Sequence, residues 1–264
     1  DQPFDYDNFD VAREESVVEV RMNSTSGMNG VNPGFVDELN AIGIALRQDE
    51  SVRCVTLTGS DGVFSVGADL AEFDGTAADG DRLRYLASTL HDGIEQLLRM
   101  DAPLVTAVNG VAAGAGFGMA LLGDVVLVST EARLEFAYPR VGLTGDGGST
   151  FLLPRLVGLR KARELTLLDE PISAAEAANL GLATEAVPAE KLDERRRAVA
   201  DDLADGPTRA YAATRQLLLD SFDRGLTAQL AAETDAIVEA TETDDYRRGH
   251  EAFFGEDPAD FQGT

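Results

Sequence analysis

The chain has no tryptophan, one cysteine, two histidines and, among 264 residues, two lysines, Lys161 and Lys191. A single cysteine excludes an internal disulfide. Cys54 stands in the apolar run CVTL, so it reads as a buried core residue rather than a nucleophile. No metal centre is expected. Lysine is scarce beside acid: 47 Asp and Glu face 22 Lys and Arg, for a net charge of −25. With no basic stripe to hold phosphates, nucleic acid is excluded as a partner. A dense carboxylate surface with arginine in place of lysine points to a protein adapted to high salt, where screening relieves self-repulsion. Long hydrophobic runs are also lacking. The nearest, residues 104–128, is broken by Asn109, Asp124 and five glycines, which argues for buried elements and turns rather than a membrane span. The opening DQPFDYDNFD is acidic and has no apolar signal segment, so a soluble cytoplasmic protein is expected.

What is present is an ordinary globular composition, 44% hydrophobic and 26% charged, long enough for a substantial core. SVVEVRM (16–22) alternates as a strand. Residues 32–48 carry apolar side chains at helical spacing, with Asn32 as cap and Pro33 at the first helical position. VRCVTLTG (52–59) is rich in β-branched residues and predicts a strand; residues 82–100 predict an amphipathic helix. PLVTAVNG is the nearly all-apolar kind of strand that is covered on both faces. GAGFGMALLG predicts a small-residue helix and DVVLVS a further strand; beyond about residue 188 the pattern is helical throughout. Strands alternating with helices, then helices alone, predict an α/β core over 1–195 and a helical oligomerisation region over 196–264.

Three stretches carry chemistry. FSVGADL (64–70) and NGVAAGAGFG (109–118) each bring small residues and backbone N–H groups up after a buried strand. Two N–H groups aimed at one point would hold charge developing on a carbonyl oxygen; close packing of helix on strand explains such residues equally well. GAGFG is not G-x-G-x-x-G and does not follow the first strand, so a dinucleotide site is disfavoured. In GLTGDGGST (142–150) a lone acid, Asp146, sits among glycines. It is either a helix cap or a carboxylate held beside something that reacts.

In series, VTLTGSDGVFSVGADLAEF, DAPLVTAVNGVAAGAGFGMALLGDVVLVS, GLTGDGGSTFLLPRLVG, ISAAEAANLGLATEAVP and EAFFGEDPADFQG resemble the crotonase (enoyl-CoA hydratase/isomerase) superfamily in unbroken order. The resemblance implies a spiral of ββα units with a helical trimerisation region, and an acyl-CoA substrate whose coenzyme A is part of that substrate, with no separate cofactor. It implies a homotrimer or a dimer of trimers. The N–H groups of Ala68 and Ala115 would form the oxyanion hole. Gly27, Met28, Ala68, Asp69, Leu70, Gly114, Gly118 and Tyr138 would contact substrate. The two glutamates of a typical hydratase would fall at Gly118 and Tyr138, so the usual water-activating pair is missing. Asp146 matches the aspartate of isomerases acting on dienoyl-CoA and 1,2-epoxyphenylacetyl-CoA, which implies a proton shuttle, with room at Gly118 for a bulkier acyl group. His91 matches the histidine that works with an aspartate in 4-chlorobenzoyl-CoA dehalogenase. At 255–257, GED stands where the family often has basic residues for the CoA phosphates. The implied activity is double-bond isomerisation. A hydratase using Asp146 alone, a thioester hydrolase and a non-catalytic acyl-CoA binder stand as alternatives.

Overall fold

The computed structural model describes residues 6–255 and 257–264. The first five residues of the acidic N-terminal stretch and Glu256 of GED lie outside the described residues. The core is a six-stranded sheet in the spatial order Phe9–Glu14, Val17–Met22, Cys54–Gly59, Leu104–Val108, Val125–Ser129, Glu185–Val187. The first pair is antiparallel and every later pair is parallel. Cys54–Gly59 is buried at all six positions because both faces are covered, which is why its sequence does not alternate. Val55 and Leu57 face the main core, whereas Cys54 packs with Val105, Ala107 and Leu127 on the other face. Burial pushes the Cys54 thiol up to about 12, which fits an inert core residue.

After each of three sheet strands the chain makes a short second strand and then a helix. Cys54–Gly59 is followed by Val63–Ser65, Leu104–Val108 by Val111–Ala113, and Val125–Ser129 by Arg133–Glu135. These short strands, with Ile172–Ser173, form a second sheet of four. The helices are α1 (Pro33–Gln48), α2 (Asp79–Arg99), α3 (Ala115–Ala120), α4 (Ser149–Leu168), α5 (Ala174–Leu180), α6 (Leu192–Ala204), α7 (Thr208–Asp220), α8 (Leu226–Ala240) and α9 (Asp244–Phe254). The expected spiral of ββα units is what the chain forms. Asn32 accepts from the Phe35 N–H with Pro33 in the first turn, as its sequence requires.

The division expected at 195/196 falls inside α6. Leu192, Val199, Ala200 and Ala204 of that helix cover the outer face of the sheet. Arg196 is buried, reaching Thr56 at 2.7 Å and Glu19 at 2.7 Å. α6 therefore completes the core. Beyond it α7 is pinned by Arg215 on Asp124, while α8 buries none of its residues and exposes Leu226, Leu230, Ile237 and Val238. The strand Phe9–Glu14 and the two- and three-residue strands went unread in the sequence because they are too short or too polar for a period of two to show. Among the described residues no helix is long and apolar enough to cross a membrane.

Candidate active site

The two small-residue loops meet. Val31 pairs with Ala68 in a two-stranded parallel ladder, and its carbonyl accepts from Asp69 N at 3.2 Å. In such a ladder the residue between bonded neighbours turns its own N–H to the opposite edge. The Ala68 N–H therefore points away from Val31, on an edge with no further strand. Ala115 is the first residue of α3, so its N–H has no partner within the helix. Gly67 (φ 79°) brings the loops together: a Cβ there would lie 2.9 Å from Ala115 N and 2.9 Å from Ala113 O. Only glycine allows this approach. At six residues, α3 adds little dipole to the N–H groups themselves.

Ala68, Gly114 and Ala115 line a cavity of about 410 Å³, and so do Leu70, Tyr138 and Asp146. The rest of its wall is mostly apolar, with Leu83, Leu86, Ala87 and Leu90 from α2 and Val141 and Leu143 from the loop before Asp146. Asp146 is the one carboxylate among the described lining residues, and Arg140 the one cation. Arg140 is not free charge, since it is paired with Glu135 and with Asp169. Burial alone would push the Glu135 carboxyl up, but hydrogen bonds from Arg133 and Arg140 hold it below the ordinary range.

Asp146 does not cap α4: the cap position is Gly148. Its backbone carbonyl accepts from Ser149 N at 3.1 Å and Oγ at 2.7 Å, which leaves the carboxylate to point elsewhere. Oδ1 accepts a short hydrogen bond from the Tyr138 hydroxyl. Oδ2 lies 3.8 Å from His91 Nε2. That nitrogen accepts the Gly147 N–H at 3.2 Å. The Tyr138 ring packs against Phe136 at 4.9 Å. Burial, and then the neighbouring Asp146 charge, push its phenol above the ordinary tyrosine value, so it remains a donor across the neutral range.

Two expectations about the wall, at Gly118 and Asp69, need correction. Gly118 does not open the pocket. A Cβ at 118 would sit 2.3 Å from the Gly147 carbonyl oxygen, so the space of a family glutamate is filled by the Asp146–Gly147 turn. Asp69 does not face the cavity; its side chain caps the short turn Leu70–Glu72 by accepting from Ala71 N. Gly27 and Met28 lie off the cavity wall. Met28 is exposed, although its carbonyl accepts the Val66 N–H beside the Ala68 loop. No local motif in the sequence marks Arg140 or the tyrosine–aspartate bond. The α2 wall could have been anticipated from the amphipathic spacing of residues 82–100.

The family model described as enoyl-CoA hydratase/isomerase matches residues 12–264. A Rhodobacter capsulatus protein described as a probable enoyl-CoA hydratase is 38% identical over 254 residues, covering 94% of this chain and 95% of its own length. The 1,2-epoxyphenylacetyl-CoA isomerase of Escherichia coli is 31% identical over 252 residues, covering 95% and 96%. The crystal structure of an enoyl-CoA hydratase from Bacillus anthracis superimposes with a TM-score of 0.91 at 27% identity, covering 97% of this chain and all of that one. The chain belongs to the enoyl-CoA hydratase/isomerase family. It is an acyl-CoA enzyme of that family.

Proposed function

We propose that the chain moves a double bond along an enoyl-CoA thioester. Asp146 takes a proton from the α or γ carbon, and the C–H electron pair passes into a dienolate. The negative charge on the thioester oxygen is held by the Ala68 and Ala115 N–H groups. Asp146 then returns the proton to the other end of the dienolate, which leaves the composition unchanged. The observation that carries this reading is that Asp146 is the one carboxylate among the described residues of the cavity wall. Hydration by the usual pair needs two acids, and isomerisation needs one. Tyr138 serves by holding the carboxylate in a single orientation.

Coenzyme A belongs to the substrate, and no separate cofactor is assigned. Gly27 and Met28, outside the wall but beside the Ala68 loop, are suited to the CoA part rather than the acyl part. The working environment is a salt-rich cytoplasm. The assembly is a homotrimer or a dimer of trimers built through the C-terminal helices, whose exposed apolar side chains need cover.

The test is made in molar KCl, with a 3-enoyl-CoA and a 2-enoyl-CoA offered in parallel and products identified by mass. A shifted double bond at unchanged mass, lost at least about 100-fold in Asp146→Asn, is expected. A product heavier by one water would make the chain a hydratase and overturn the shuttle. The nearness of His91 to Asp146 favours one second reading, nucleophilic displacement of halide from a haloaryl-CoA. Halide release from 4-chlorobenzoyl-CoA would establish it instead.

A further inference from the structure

We propose that Asp169, at the far end of α4, is a positioning residue that sets Tyr138 on Asp146. This rests on the reading of Asp146 as the group that moves the proton. A straight helix of 20 residues would hold its ends about 30 Å apart. α4 is broken at Gly158 (φ 75°, ψ 154°), and the residues flanking its two ends reach the same loop. Asp146, before the helix, meets Tyr138. Asp169, after it, meets the residues on either side of Tyr138. One carboxylate oxygen of Asp169 accepts the Ala137 N–H at 2.7 Å, and the other accepts Arg140 Nε at 2.7 Å. Its carbonyl also accepts Arg140 Nη2 at 3.2 Å.

These contacts fall where the backbone needs them. Ala137 is left-handed (φ 64°), a conformation an alanine holds only when its surroundings impose it. Asp169 is left-handed as well (φ 51°), a place where glycine would be the easier choice. Its side chain is 8% exposed. An aspartate that accepts backbone strain and burial, and spends both oxygens on residues 137 and 140, clamps the turn between them. That turn carries the phenol that orients the catalytic carboxylate. Glu135, on the other side of Arg140, completes the clamp.

The experiment compares Asp169→Gly, Asp169→Asn, Tyr138→Phe and the double variants, each checked for an unchanged circular dichroism spectrum. Turnover is followed with whichever acyl-CoA conversion the protein performs. Asp169→Gly relieves the left-handed backbone but removes both contacts; it is expected to lower kcat about 10- to 100-fold with KM within about threefold, the scale of a misplacement near 1 Å. Asp169→Asn keeps an acceptor for Ala137 and should fall between. In a Tyr138→Phe background either change should alter kcat less than about twofold, because the group through which Asp169 acts is gone. An equal loss in both backgrounds, or no loss in the parent, would overturn the proposal. If Asp169→Gly does not fold, Asp169→Asn carries the same comparison. The NMR resonances of the Tyr138 ring provide a readout independent of turnover. A ring shift in a protein that turns over no acyl-CoA supports the clamp and refutes the proton-shuttle reading. Turnover without coupling refutes the clamp alone.

Discussion

Placing a single methyl group at residue 118 tests the architecture of the site. In Gly118→Ala the new Cβ would start 2.3 Å from the Gly147 carbonyl oxygen and 2.9 Å from its carbonyl carbon, about 1.1 Å short of the 3.4 Å at which ordinary contact begins. α3 and the Asp146–Gly147 turn must separate by about that distance. Both are tied down: Gly118 N bonds Gly114 O at 3.3 Å, and the turn is held by Ser149, Tyr138 and His91. Overpacking of this kind costs about 1–3 kcal/mol, and a chain of this size loses about 2–4 °C in Tm for each of them. The larger effect is on turnover. Asp146 rides on the turn, Ala115 begins α3, and a relative shift near 1 Å between a reacting group and its partner costs about 100-fold. The assay pairs a thermal melt with kcat for the acyl-CoA conversion. Gly80→Ala serves as control, since that position has open space and a helical backbone. Gly118→Glu should be worse still and should create no hydratase, although it restores one acid typical of the family. A Gly118→Ala protein within twofold of the parent in kcat and within a degree in Tm would refute the account of the turn.

Two further outcomes are expected. Glu135 is held below the ordinary carboxylate range in the folded chain, so the stability it contributes is complete above the unfolded value near 4.3 and is lost as pH falls through its lowered folded value. Glu135→Gln should therefore melt below the parent at pH 7, by an amount equivalent to about 1–3 kcal/mol, and the gap should close as pH drops toward 3. A gap independent of pH would contradict the pairing. Sedimentation in molar KCl should give three or six copies of the 28.1 kDa chain. Ile237→Asp, on the exposed apolar face of α8, should lower that number; a monomer at tens of micromolar would remove the assembly.

Much of the fold was legible from local chemistry. Pro33 and Asn32 mark the start of α1 whatever surrounds them, because φ restriction and capping are properties of a few consecutive residues. The buried run at 54–59 and the small-residue loops at 64–70 and 109–118 were visible for the same reason. The chain's single cysteine also excludes an internal disulfide, whereas the absence of the usual pair of glutamates follows only from the family resemblance. Other features depended on contacts between distant segments. Tyr138 and Asp146 are eight residues apart with a turn between them, and His91 comes from a helix 55 residues before Asp146. Nothing local brings the three to one point. Gly118 is the clearest case. Its letter says only that no side chain is present, which suits an open pocket as well as a closed one. The carbonyl of Gly147, 29 positions later, occupies that space. Sequence determines which conformations each segment prefers, because that energy is local; tertiary packing decides which surfaces touch, because each volume can be filled only once.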